Sequence, residues 1–137
     1  MRLWHKSLLK VVPRQQFLGQ IRELTAICKD IQTKGTTNHI LINKIMDYNL
    51  SHLYTYCIEV LEIAKKRKIN IKEQTLNKWW LTFTDSQKEL VDIEKIFWNW
   101  HNDRYLIQCF YNLQEKFDCG GITEEEFKLI KEEFKNV

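Results

Sequence analysis

The chain has 137 residues, 44% hydrophobic and 28% charged, with one Pro and four Gly. It is too apolar for a disordered segment and too poor in Gly and Pro for a turn-rich β-sandwich, and its size suits one core. No run approaches the roughly 18 apolar residues that cross a bilayer, and His5, Lys6 and Lys10 interrupt any apolar leader, so the expectation is a soluble, cytoplasmic chain without membrane association.

The formal charge of +3 is unevenly spread. Residues 1–68 carry twelve Lys/Arg against five Asp/Glu, and residues 69–137 carry nine against thirteen. A basic half suits a polyanionic partner, but an unevenly solvated surface accounts for it equally well. Cys28, Cys57, Cys109 and Cys119 form no C-x-x-C pair. They read as small core hydrophobes of a reducing compartment.

Pro13 sits where a first helical residue tolerates a missing N–H. Phe17, Ile21, Leu24, Cys28 and Ile31 then recur at three- and four-residue steps, predicting an amphipathic helix that ends near Lys34-Gly35. Thr36, Thr37 and Asn38 offer a cap for a short helix through Ile40, Leu41, Ile45 and Met46. Asn49 or Ser51 opens the next, with Leu50, Leu53, Cys57, Leu61 and Ala64 inward. Lys65-Lys66-Arg67-Lys68 closes it as a cationic cap or contributes to a phosphate-binding rim.

Residues 69–85 are ambiguous, and Trp79–Phe83 fits a short strand or a helix end. Thr84-Asp85-Ser86 resembles a cap, and Leu90, Ile93, Phe97 and Trp100 predict a further helix. Asn102 or Asp103 caps the next, with Tyr105, Leu106, Cys109, Phe110, Leu113 and Phe117 inward and Cys119-Gly120-Gly121 as the stop. Thr123 and Glu126 make a capping box for a last helix carrying Phe127, Ile130 and Phe134. The expected fold is all-α: a single compact helical domain over residues 1–137 with roughly five to seven helices. Trp79, Trp80, Trp98 and Trp100 read as core in preference to base-stacking platforms.

His5, His39, His52 and His101 make no H-E-x-x-H or H-x-x-x-H pair, and no phosphate-cradling glycine loop or nucleophile elbow is present. Neither a metal nor another cofactor is expected. The helix after Pro13 carries more. Arg14 and Arg22 lie within about 80° of each other around it, Gln15 shares the Arg22 face, and Glu23 follows directly. These groups suit a phosphate-contacting surface beside a carboxylate. Gly19 either clears space above Glu23 or admits a neighbouring helix, since mid-helix Gly costs about 1 kcal/mol relative to Ala. His39 and His101 each sit at a helix start, where capping and a place near the site are both open.

Met1-Arg2-Leu3 together with Arg22-Glu23-Leu24 resembles the pyrimidine-dimer DNA glycosylases of the phage endonuclease V type. Met1–His5, Pro13–Gln16, Asn38–Leu41 and His101–Tyr105 look like a bacterial branch of that family. The resemblance implies a DNA glycosylase/AP lyase in which the N-terminal α-amine attacks C1′ of a damaged nucleotide and passes through an imine. It implies Met1 and Glu23 as catalytic residues, Arg2, Arg14, Gln15, Arg22 and His39 as DNA-binding residues, and double-stranded damaged DNA as the partner of a monomer. An α-amine has a reference pKa of about 7.7–8.0, against about 10.4 for Lys, so part of it is nucleophilic at neutral pH. With Arg2 second, Met1 is expected to be retained. The chain departs from the family pattern at Gln16, at Ala26, and in Glu124–Glu126 and Glu132-Glu133, which repel phosphate. The lesion is therefore unassigned. A non-catalytic helical nucleic-acid-binding module and a helical protein–protein adaptor are the competing readings.

Overall fold

The computed structural model describes residues 2–37 and 39–136. Five α-helices are described: α1 (Arg14–Lys34), α2 (Ser51–Lys66), α3 (Glu73–Trp80), α4 (Asp103–Asp118) and α5 (Glu124–Asn136). Two 3-10 helices, Ile42–Asp47 and Asp85–Gln87, join them. Among the described residues there is no strand, and no helix is long and apolar enough to cross a membrane. The all-α expectation stands.

Pro13 immediately precedes α1, and its φ of −57° leads the chain into the helix. Gly35 ends α1 at a φ of 74°, where its N–H reaches Ile31 O at 2.9 Å. A left-handed residue that satisfies an orphan carbonyl is a common helix stop. Phe17, Leu24, Ile27, Cys28 and Ile31 face the core from α1, and Gln20 is buried among them.

The expected short helix through Ile40, Leu41, Ile45 and Met46 is corrected. Residues Ile42–Asp47 form a 3-10 helix whose three-residue repeat buries Ile42 and Ile45 together. Ile40, Leu41 and Met46 are left exposed. Asn49 opens α2, its side chain accepting from the Ser51 N–H at 2.9 Å. Lys65 and Lys66 occupy the last turn of α2. Arg67 turns away from that end: it donates to Val12 O at 2.8 Å and lies 5.1 Å above the Phe17 ring.

Trp79-Trp80 belongs to the end of α3, which resolves the strand-or-helix ambiguity. Buried Trp79 donates from Nε1 to Thr25 Oγ1 at 2.8 Å, and Gln32 reaches Lys78 O and Thr82 Oγ1, so α3 is fastened to α1.

No helix forms over Leu90–Trp100, contrary to the periodicity. Residues 93–100 are a series of turns, and Phe97 takes a φ of 50°. That conformation is strained for an aromatic residue, and it is held by contacts from outside the segment. The Phe97 N–H donates to His52 Nδ1 at 3.0 Å, while Lys6 Nζ reaches Glu94 O at 2.6 Å and Ile96 O at 2.9 Å. Backbone groups that an α-helix would pair internally are committed to the N-terminal segment and α2 instead.

Asn102 caps α4 by accepting from the Tyr105 N–H at 3.0 Å. Thr123 and Glu126 form the expected capping box of α5. Stacked Phe110–Phe134 and Phe117–Phe127 pairs, with centroids at 4.3 and 4.5 Å, seal α5 onto α4. Leu3, Trp4, Leu8, Leu9 and Val12 bury the N-terminal segment among the helices. Cys28, Cys57 and Cys109 are buried and Cys119 is exposed.

Candidate active site

Residues 2–4 lie against the Gln20–Glu23 turn of α1, and one buried side chain organises the contact. Gln20, 1% exposed, accepts from the Trp4 N–H at 2.8 Å through Oε1 and donates from Nε2 to Arg2 O at 2.9 Å. Nε2 also lies 3.3 Å from Glu23 Oε2. The Tyr56 hydroxyl, from α2, sits 2.9 Å from Gln20 Oε1 and 2.7 Å from Trp4 O, so its single proton serves both. From α4, the Tyr105 hydroxyl donates to Leu3 O at 2.6 Å. Burial pushes both phenols well above their ordinary range, so both remain donors. A buried amide with its donors and acceptors committed is a rigid anchor, because displacing it orphans several polar groups at once.

The anchor brings the start of the chain to Glu23. The Arg2 N–H lies 3.2 Å from Glu23 Oε2. The Arg2 guanidinium sits 5.8 Å from both the Trp4 and Tyr105 ring centroids, and Nη1 points at Cys109 Sγ from 3.8 Å. These rings orient the guanidinium by cation–π attraction. Arg2, Trp4, Glu23, His39, Leu41, Asn112 and Lys116 line a cleft of about 340 Å³. One carboxylate there is accompanied by two cationic side chains, Arg2 and Lys116. His39 presents a buried Nδ1 without a hydrogen-bond partner.

Of the expected site residues, Arg2, Glu23 and His39 converge on this cleft. Arg14, Gln15 and Arg22 are exposed on α1 and do not line it. Met1, expected to supply the nucleophile, lies outside the described residues, as does Asn38. The cap expected of Asn38 therefore falls there too. Of the two explanations given for Gly19, close packing of a neighbouring helix is removed: a Cβ placed there would meet only Arg22 Nη2, at 3.6 Å.

Gln20, Tyr56, Tyr105, Asn112 and Lys116 were not anticipated. Gln20 had a signal, since a polar residue interrupts the buried stripe Phe17–Leu24–Ile27 and such a group must find partners. Tyr105 was read as an inward residue of its helix and as the end of the His101–Tyr105 block, and Lys116 was not singled out.

A second buried group holds the same segment from behind. His5 stacks on His101 with centroids 5.1 Å apart and planes inclined by 21°. His5 Nδ1 accepts from the Ser7 N–H and His101 Nδ1 from the Lys6 N–H, each at 3.1 Å. Burial lowers the His5 pKa to about 4 and that of His101 well below its ordinary value. Both rings are neutral acceptors at neutral pH.

The model of the pyrimidine dimer DNA glycosylase family matches residues 1–77. The chain belongs to that family. The matched span covers the N-terminal segment, α1, α2 and α3 as far as Asn77, and with them Arg2, Gln20, Glu23, His39 and Tyr56. The α4 side of the cleft, with Tyr105, Asn112 and Lys116, lies beyond it. Neither curated proteins nor solved structures provide a match. At the level the family model supports, the chain is a DNA repair glycosylase.

Proposed function

We propose that this protein is a DNA glycosylase with AP lyase activity that attacks C1′ of a damaged nucleotide with the α-amine preceding Arg2. The observation that carries the reading is the 3.2 Å hydrogen bond from the Arg2 N–H to Glu23 Oε2. One peptide unit separates that N–H from the α-amine, and consecutive Cα atoms are about 3.8 Å apart. Any nucleotide within reach of that amine is also beside the carboxylate.

The amine nitrogen bonds to C1′ as the C1′–base bond breaks, and the departing base takes up a proton. The nitrogen then gives up a proton, and the C1′–O4′ bond breaks as O4′ takes up a proton, which opens the sugar ring and leaves an imine between amine and C1′. Loss of a C2′ proton expels the 3′ phosphate by β-elimination, and water finally releases the amine. Glu23 stabilises the positive charge that develops at the sugar and relays these protons. Arg2 and Lys116 hold the flanking phosphates at the cleft, and His39 donates or accepts at its rim. Arg14, Gln15 and Arg22 on the open face of α1 engage the duplex further out. Extruding the nucleotide takes a few kcal/mol, less where damage has weakened stacking.

Residues 1–137 work as one domain in this reading. The 2.6 Å bond from Tyr105 to Leu3 and the 3.0 Å ion pair between Lys10 and Glu133 support it by tying the chain's two ends to one another.

Borohydride trapping on duplexes carrying an abasic site or a pyrimidine dimer is the test. A covalent adduct that vanishes when the N-terminus is blocked is expected. Absence of adduct with every lesion would sink the chemistry, and salt-sensitive retention of DNA without any adduct would leave a binding module.

A further inference from the structure

Beside the cleft, the chain exposes two adjacent aliphatic side chains on a braced turn. Ile40 is 85% exposed and Leu41 44% exposed, while Ile42 and Ile45, just beyond them, are fully buried. The turn is fixed from both sides. The Ile42 and Asn43 N–H groups donate to His39 O at 3.0 and 2.9 Å, and Thr37 Oγ1 donates to Asn43 Oδ1 at 2.6 Å. Leu41 lines the Glu23 cleft, and it also lines the neighbouring groove that holds Lys44, Asn102, Arg104 and Gln108. The pair therefore forms an apolar ridge between two basic depressions, one of which contains the candidate catalytic carboxylate.

We propose that Ile40 and Leu41 are a wedge that enters the base stack of duplex DNA and fills the gap left by the nucleotide drawn into the cleft. This rests on the reading of the cleft as the nucleotide-binding site. Duplex DNA is the occupant favoured by the surroundings: an apolar tip flanked by Arg2, Lys44, Arg104 and Lys116 matches apolar base faces flanked by phosphates. Proteins that unstack a base step insert aliphatic side chains between the bases while cations hold the backbone. A nucleotide leaves the stack more readily when its place is taken, so the wedge acts on extrusion and leaves imine chemistry to other groups. Because the tip is exposed and Ile42 and Ile45 anchor the turn from beneath, Ile40→Ala with Leu41→Ala removes the wedge without opening the core.

The test uses a duplex with a tetrahydrofuran abasic analogue, which cannot form an imine, and a neighbouring 2-aminopurine whose fluorescence rises on unstacking. The wild-type protein is expected to raise the fluorescence several-fold. The double variant is expected to lose that rise and about tenfold of its preference for the analogue over intact duplex, and Ile40→Ala alone, outside both depressions, is expected to lose most of the rise while binding intact duplex as the wild type does. Ile40→Phe with Leu41 retained restores the rise. In borohydride trapping, Ile40→Ala alone, whose side chain lines neither depression, forms less adduct on an abasic duplex and a normal amount on an abasic single strand, where there is no stack to open. A wild-type rise that persists in the double variant overturns the proposal, as does equal loss of trapping on both strands. Concentration-dependent self-association abolished in the variant, without any fluorescence change, overturns it in favour of a second copy at the tip. A wild-type rise with no adduct on any substrate leaves the wedge standing and removes only the amine chemistry.

Discussion

The backbone N–H of Arg2 meets Glu23 Oε2 at 3.2 Å, bridging 21 positions of sequence. A carboxylate that accepts from the chain next to the proposed nucleophile has a structural duty and a chemical one, and the two can be separated. In Glu23→Gln the amide oxygen can still accept from the Arg2 N–H, so the segment stays in place. The charge that stabilises the sugar cation is gone. Turnover on abasic DNA is expected to fall by about 10²–10⁴-fold, the usual range for a positioned acid or base, with the thermal midpoint little changed. Single-turnover cleavage beside a melting curve decides it, and a wild-type rate in this variant would falsify the assigned role.

Gln20 is the reverse case, a residue that acts through others. Gln20→Leu keeps the volume but orphans the Trp4 N–H and the Arg2 carbonyl, and leaves the Tyr56 hydroxyl with Trp4 O as its one acceptor. Each buried polar group left alone costs about 1–3 kcal/mol. Urea denaturation is therefore expected to show a loss above about 2 kcal/mol. Adduct formation should drop as well, because the N-terminal segment loses its register against α1. A stable variant with a normal rate of adduct formation would show that the anchor is dispensable.

What the sequence disclosed follows from the range of the interactions involved. Helices whose stripes and caps lie within a few residues of each other, such as α1 with Gly35 and α5 with Thr123 and Glu126, were legible because their signals are local. The helix expected over Leu90–Trp100 failed because its competitors are remote: Lys6 and His52 claim the backbone groups that the helix required. The site divided the same way. Glu23 and Arg2 stood out through family motifs, whereas Gln20, Tyr56 and Tyr105 matter through bonds spanning 16 to 102 positions that no local pattern encodes.

Arg14 and Arg22 stand exposed on the open face of α1, away from the cleft. If they contact phosphates of the duplex, each Arg→Ala change should weaken binding about equally on damaged and intact DNA. Each should also reduce the slope of log K against log salt by about one. The fold should be unaffected, since neither side chain is buried. Titrations at several salt concentrations measure this, and an unchanged slope in both variants would remove α1 from the DNA interface.

Gly19 lies in the interior of α1 with room for a methyl group, the nearest contact being Arg22 Nη2 at 3.6 Å. Mid-helix Gly is about 1 kcal/mol worse than Ala, so Gly19→Ala should stabilise the protein by roughly 0.5–1 kcal/mol. Arg22 can shift its flexible end to accommodate the methyl. A gain in stability with unchanged DNA affinity is the expected result. Destabilisation would mean that the position is tighter than its surroundings imply. A selective loss of DNA binding would mean that Gly19 admits a phosphate or sugar.

His5 and His101 make stability depend on pH in a defined direction. Burial holds the folded-state pKa of His5 at about 4, and that of His101 well below its ordinary value, whereas both sit near about 6.5 in an unfolded chain. Below about 6.5 the unfolded chain therefore binds protons that the folded chain refuses, and stability falls as pH falls. The loss is complete for His5 near pH 4 and amounts to on the order of 3 kcal/mol from that ring. Lys6, beside both rings, opposes their protonation, and Asp103 favours it at His5. Surface ion pairs such as Lys34 with Asp30 contribute little. His101→Asn isolates one component. Its side-chain oxygen can accept from the Lys6 N–H without titrating, so the variant should be less stable at pH 7.5 for its smaller volume, yet lose less between pH 6.5 and 4.5. Parallel urea titrations of both proteins at those pH values give the comparison. Identical pH slopes would show that His101 remains neutral in the unfolded chain or charged in the folded one.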